Sequence, residues 1–118
     1  MQEVEYMFNC HLDEDVFEVV KKGVKNVEVR VNDEKRRKMK LGDEIIFFKR
    51  PLENEKIVSK ITGLKTFKNF NELVNEYPIE RLYLETYTKN EFIELLRRFY
   101  SDEEQEKYGV VAIEFEVI

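Results

Sequence analysis

The residues best placed to do chemistry lie in one short stretch, Gly23-Val24-Lys25-Asn26-Val27-Glu28-Val29-Arg30. Val27, Val29 and Val31 alternate with Glu28 and Arg30, the period of a strand with one apolar face turned inward. Glu28 and Arg30 then share the other face, where a guanidinium fork holds a carboxylate or phosphate at two points. Lys25 stands at the mouth of that strand, and enclosure there pulls a lysine pKa down toward that of a usable base. Gly23 supplies the left-handed backbone that ends a helix and lets a ligand come close. A second reading of the same residues stays open: Glu28 and Arg30 as a surface ion pair of little energetic weight.

A basic run, Lys35-Arg36-Arg37-Lys38, follows the strand. Between Lys21 and Lys40 the cations Lys21, Lys22, Lys25, Arg30, Lys35, Arg36, Arg37, Lys38 and Lys40 face only Glu28, Asp33 and Glu34, although the whole chain carries a net charge of −5. An acidic protein is a poor indiscriminate binder of phosphate, so a basic band on it suits a localised anionic ligand better than a long duplex. The run either lines a groove that attracts phosphates or forms an ordinary solvated turn. Tyr83, Tyr87 and Phe67 either offer stacking surfaces for a base beside it or belong to the core and its rim.

Other chemistries lack their parts. His11 and Cys10 are the only histidine and cysteine, so no zinc set of ordinary spacing and no Ser-His-Asp arrangement can be assembled. These two read as strand residues near the first helix, with functional use as the alternative. Neither a P-loop nor a dinucleotide fingerprint is present, and no metal or cofactor is expected. A lone cysteine with no basic-then-apolar leader points to a reducing, cytoplasmic setting. The longest apolar runs, such as Ile45 to Phe48, fall far short of the roughly 20 residues of a membrane-spanning helix. A charged fraction of 38% hints at the ion-pair networks of heat-adapted proteins.

The elements that must position these residues follow from the pattern. The 118 residues, 42% hydrophobic and 13% aromatic, are enough for one domain spanning 1–118 with its own core. Val4 to Leu12 reads as a first strand, and a helix follows with Asp13 as N-cap, Val16, Phe17, Val19 and Val20 as its apolar stripe, and Gly23 as its stop. After the Val27–Val31 strand and the basic loop, Glu44 to Lys49 and Ile57 to Phe67 read as strands, the latter with a bulge or corner at Gly63. Short links between them imply antiparallel pairing. Asn69 caps a short helix carrying Leu73 and Val74 that ends near Pro78. Thr88-Lys89-Asn90-Glu91 is a capping box, and Phe92, Leu95, Leu96 and Phe99 continue it at helical spacing. Ser101 with Glu104 starts one more turn, and Val110 to Ile118 alternates as a terminal strand. The predicted class is α+β: a small, curled, mostly antiparallel β-barrel with flanking helices.

The stretch from Gly23 to Arg30, the Gly42-Asp43 turn before a hydrophobic strand, and the closing Tyr108-Gly109-Val110-Val111-Ala112-Ile113-Glu114-Phe115 together resemble the ASCH domain family. Its hallmark is Gly-x-Lys-x-x-Glu-x-Arg just after the first helix, and the resemblance covers nearly the whole chain. It implies a PUA-like fold and RNA or nucleotide binding in a charged groove by Gly23, Lys25, Glu28, Arg30, Lys35, Arg36 and Arg37. Some small members of the family are amidohydrolases acting on N4-acetylcytidine, using a hallmark lysine, a threonine three residues later and a downstream glutamate. Lys25 matches that lysine and Glu85, just before the Thr88 helix, matches the glutamate by offset. Glu28 occupies the threonine position and offers no hydroxyl nucleophile, so hydrolysis here would need Lys25 and Glu85 to activate a water by general base catalysis. The expectations are thus a binding module, or alternatively an amidohydrolase on an acylated nucleoside, with a protein–protein scaffold as a third reading.

Overall fold

The computed structural model describes residues 7–118; the beginning of the expected first strand, at Val4, and the acidic Glu3 and Glu5 lie outside the described residues. Among the described residues five strands form one sheet: β1 (Met7–Leu12), β2 (Val27–Val31), β3 (Glu44–Lys49), β4 (Lys56–Phe67) and β5 (Val110–Val117), in the order β1-β3-β4-β5-β2. The β3–β4, β4–β5 and β5–β2 pairs are antiparallel, as the short links predict for β3 and β4. The β1–β3 pair is parallel, with Phe8 opposite Ile45 and Cys10 opposite Phe47. That departs from simple sequential pairing because the helix and β2 come between them in the chain, and a return over an intervening helix brings strands together in the same direction.

The sheet curls into a half-barrel, and β4 does much of the bending. It pairs with β3 from Lys56 to Lys60 and with β5 from Ser59 onward, and its register with β5 shifts between Ile61 and Gly63. Gly63 sits close against Glu114: a Cβ there would lie 3.0 Å from its carboxyl carbon, so a larger residue would have to displace that side chain.

The α-helices of the described residues cover the sheet: α1 (Glu14–Lys21), α2 (Phe70–Asn75), α3 (Ile79–Leu82), α4 (Lys89–Arg97) and α5 (Asp102–Tyr108). The capping boxes at Thr88/Glu91 and Ser101/Glu104 form as the sequence predicts. Asp13 sits at the N-cap of α1 but makes no side-chain cap hydrogen bond. The short α3 has no counterpart in the sequence reading, and α5 is longer than the single turn expected.

Two cores share the sheet. Phe17 and Val20 of α1 pack with Phe47, Ile61, Ile113 and Phe115 on one side. Phe70, Leu73, Leu82 and Phe92 pack on the other, against Val27, Val29 and Val31. β5 feeds both, with Val111 and Ile113 facing the first and Val110 and Ala112 the second. Ala112 is therefore buried rather than solvent-facing, as in any strand covered on both sides. The valine face of β2 is committed to the helical side, which leaves Glu28 and Arg30 on the opposite face, within reach of β1.

Candidate functional site

The hallmark residues are delivered by the way α1 stops. Lys22 is the C-cap of α1, and Gly23 turns the chain at φ +79° while its N–H donates to Val20 O at 2.9 Å and that of Val24 to Val19 O at 3.0 Å. This pair of bonds is the Schellman arrangement, which satisfies the terminal carbonyls and calls for glycine at the left-handed position. The chain leaves the turn pointing Lys25 inward.

Lys25 and Glu28 are 2% and 6% exposed. The Lys25 ammonium donates to Val27 O at 2.6 Å and to Leu82 O, at the end of α3, at 2.8 Å. A further tie fixes α3 against the hallmark: the Asn26 N–H donates to Arg81 O at 3.1 Å, and Arg81 Nε donates to Asn26 Oδ1 at 2.8 Å. Lys25 Nζ lies 3.8 Å from Glu28 Oε1, too far for a hydrogen bond but close for two charges in a dry site. Glu28 Oε1 accepts from Arg30 Nη1 at 2.6 Å and from the Val29 N–H at 3.2 Å. Its other oxygen, Oε2, is buried with no hydrogen-bond partner among the described residues.

Arg30 Nη1 also donates to Val29 O at 2.9 Å, and Nη2 reaches Cys10 Sγ on β1 at 3.6 Å. Of the five guanidinium donors, Nε–H and one Nη2–H have no acceptor among the described residues, and the side chain is 22% exposed. The site therefore holds two cations and one carboxylate, with an unfilled acceptor and unfilled donors side by side.

The electrostatics follow from this packing. Burial lowers the Lys25 pKa, and the Glu28 carboxylate only partly restores it because Arg30 repels the same charge. For Glu28, burial works upward, but Arg30, Lys25 and the Val29 amide outweigh it and leave the carboxyl below its ordinary range. Burial likewise opposes the Arg30 charge, and Glu28 overcomes it so that the guanidinium is held more firmly protonated than usual. Burial, reinforced by Glu28, raises the Cys10 thiol.

Lys25, Glu28 and Arg30 border a cavity of about 520 Å³, within the range of small-ligand sites. Its walls include Tyr83, Phe92 and Tyr100, and its mouth has His11, Asp13 and Arg50. Tyr83 stacks on Phe92 at 5.1 Å. His11 bonds Glu53 at 2.6 Å through Nδ1 and stacks on Phe48. Among the described residues no group of three or more His, Cys, Asp or Glu is gathered closely enough to hold a metal ion.

Of the residues singled out from the sequence, Lys25, Glu28 and Arg30 meet in this cavity, together with Tyr83. Gly23 shapes the approach but does not line it. The basic run forms a short 3₁₀ turn at Arg36–Lys38 outside the lining. Within it, Arg37 is tied back to Asn32 O and Tyr108 O at 2.8 and 3.2 Å. Arg36 is close enough for its charge to act on Cys10 and Tyr100. Glu85 is exposed in the turn before α4 and does not line the cavity. Tyr87 sits edge-on to Tyr83, also outside the lining, and Phe67 belongs to another cavity. Tyr100 and Arg50 went unnoticed in the sequence, where nothing but aromaticity or charge marks them.

The fold and this cluster belong to one family. The ASCH domain model matches residues 11–118, and the chain is a member of the ASCH domain family, with its PUA-like fold. It is similar to the crystal structure of the hypothetical protein PH0355, with 38% identity and a TM-score of 0.81 over 96% of this chain and 100% of that one. It is also similar to the solution structure of protein PF0455 from Pyrococcus furiosus, with 32% identity and a TM-score of 0.76 over 96% of this chain and 98% of that one. No curated protein matches the chain. Among the described residues no helix is long and apolar enough to cross a membrane.

Proposed function

We propose that the protein is an RNA- or nucleotide-binding ASCH domain whose cavity takes a nucleobase with an N–H donor directed at Glu28. One observation carries this reading: Glu28 Oε2 is buried without a partner in a cavity walled by aromatic rings. A buried acceptor left unfilled costs about 1–3 kcal/mol, more for a charged one, and a ligand donor relieves that cost on binding. The free Arg30 donors suit a neighbouring carbonyl or phosphate oxygen, and Tyr83 and Tyr100 suit the flat face of a base. The net positive charge of the Lys25-Glu28-Arg30 cluster favours a ligand that also carries phosphate. A cytoplasmic site of action, where RNA is at hand, fits this reading.

A second reading, hydrolysis of an acylated nucleoside, is favoured by one feature, a buried lysine with a lowered pKa beside a carboxylate. In that case Glu28 rather than the exposed Glu85 is the partner Lys25 has at hand. Calorimetric titration with cytidine, uridine, adenosine and guanosine monophosphates and a five-nucleotide RNA separates these outcomes. Saturable binding should weaken about tenfold or more in Glu28→Gln, and N4-acetylcytidine should be recovered unchanged. Absence of binding to every ligand would sink the proposal, and release of cytidine and acetate would replace it with the hydrolytic reading.

A further inference from the structure

Phe99 is the residue whose placement departs furthest from its sequence pattern. Its spacing from Phe92, Leu95 and Leu96 predicts a place on the buried stripe of α4, yet it is 71% exposed. The cause is local: α4 ends at Arg97, and the N–H groups of Phe99 and Tyr100 both turn back to Leu96 O, at 3.0 and 2.9 Å. Tyr100 is thereby set in the cavity wall, and Phe99 is held at its rim, lining the same cavity as Arg50. Among the described residues the Phe99 ring has no stacking partner. A single exposed ring is ordinary on a protein surface, but one held open at the rim of this cavity is placed to meet something entering it.

Its neighbours say what that something is. Arg50, in the same lining and exposed, has no carboxylate within ion-pair distance among the described residues, and neither has Arg98, next to Phe99. Arg97, by contrast, is paired with Glu94 at 3.5 Å and with Asp102 at 3.9 Å. An open aromatic face beside unpaired guanidinium groups matches a base with its phosphate better than it matches an apolar peptide.

Resting on the reading above, we infer that the ligand is a single strand of at least two nucleotides: one base enters the cavity toward Glu28, and its neighbour stacks on Phe99 with the joining phosphate on Arg50. The strand must be unpaired, because a base inside a duplex presents neither its edge to a pocket nor its face to a side chain.

The test compares a mononucleotide, five-nucleotide RNA and DNA strands, and a blunt hairpin against wild type, Phe99→Ala and Phe99→Trp, with thermal unfolding as a control. Wild type should bind the strands well above the mononucleotide and the hairpin. Phe99→Ala should lower strand affinity about 5- to 150-fold, lower mononucleotide affinity far less, leave the melting temperature unchanged, and be rescued by Phe99→Trp. Equal affinity for mononucleotide and strand, or strand binding indifferent to Phe99→Ala, would overturn the inference while leaving the cavity reading intact. A fall in mononucleotide affinity as large as that of the strand in Phe99→Ala would also overturn it, since Phe99 would then serve the cavity alone. Failure of the wild type to bind either ligand would remove the cavity reading and this inference together. RNA and DNA arms of equal affinity support a reading of base and phosphate alone, and a preference for RNA adds recognition of the 2′-hydroxyl.

Discussion

A cavity of about 950 Å³ bordered by Asn32, Phe67, Asn69, Gln105 and Tyr108 is nearly twice the size of the one that holds Glu28, at about 520 Å³. Both are lined by charged, polar and aromatic residues, and they differ in what their polar groups still lack. In the larger one Gln105 is buried, but its oxygen accepts the Phe70 N–H at 3.1 Å, and Asn69 accepts from Glu72 N at 3.0 Å as the cap of α2. Lys107 and Arg37 lie over the Tyr108 ring. Its buried polar side chain, Gln105, is thus already used in tying α5 to α2. The smaller cavity instead keeps a carboxylate oxygen under cover without a partner among the described residues, beside a partly exposed guanidinium with donors to spare. Volume is a weaker guide to a ligand than a buried hydrogen-bonding group left without a partner.

The largest effect that tests this contrast is on stability. Glu28→Ala leaves Lys25 and Arg30 buried without their counter-charge and should cost about 3–5 kcal/mol in urea unfolding. Gln105→Ala leaves only a neutral Phe70 N–H and should cost about 1–3 kcal/mol. Equal losses would dissolve the distinction. A smaller effect lies in the pH profile. Glu28 has a folded pKa below its ordinary value of 4.5, so its contribution is complete above that value and is lost as pH falls through the lower folded one. The lowered Lys25 pKa acts at the alkaline end, where its burial cost is relieved as pH rises through the folded value. Glu28→Gln should flatten the acid limb in unfolding measured across pH, and an unaltered limb would mean that other carboxylates set it. The smallest effect belongs to the basic turn: Arg37→Ala, outside both the Glu28 site and its lining, should change RNA affinity by no more than about fivefold.

How much of this was legible in sequence depends on the range of the interactions. Signals that act over a few residues read correctly: the Gly23 stop, the boxes at Thr88 and Ser101, the kink at Gly63 and the alternation in β2. Lys25 could be suspected from the hallmark, but its burial depends on Leu82 O, 57 residues away, and no periodicity announces a carbonyl at the end of a four-residue helix. The parallel β1–β3 pair and the arrival of Tyr100 at the cavity are long-range outcomes of the same kind. Phe99 misled for the opposite reason: its spacing is helical, but the helix stops before reaching it. The run of four cations drew attention by composition, whereas contacts to Asn32 O and Tyr108 O, not a groove, decide where Arg37 lies.

The hydrogen bond from Arg30 to Cys10 joins β2 to β1, the two ends of the sheet, and no backbone ladder between them is present among the described residues. The seam between these edge strands is thus bridged by side chains rather than by a backbone ladder, at a point where Cys10 is itself buried in the core beside α1. A bulkier residue there would overpack that core, and a smaller one would take away the sulfur that Arg30 reaches. The open edge of the barrel is therefore latched from within its own interior.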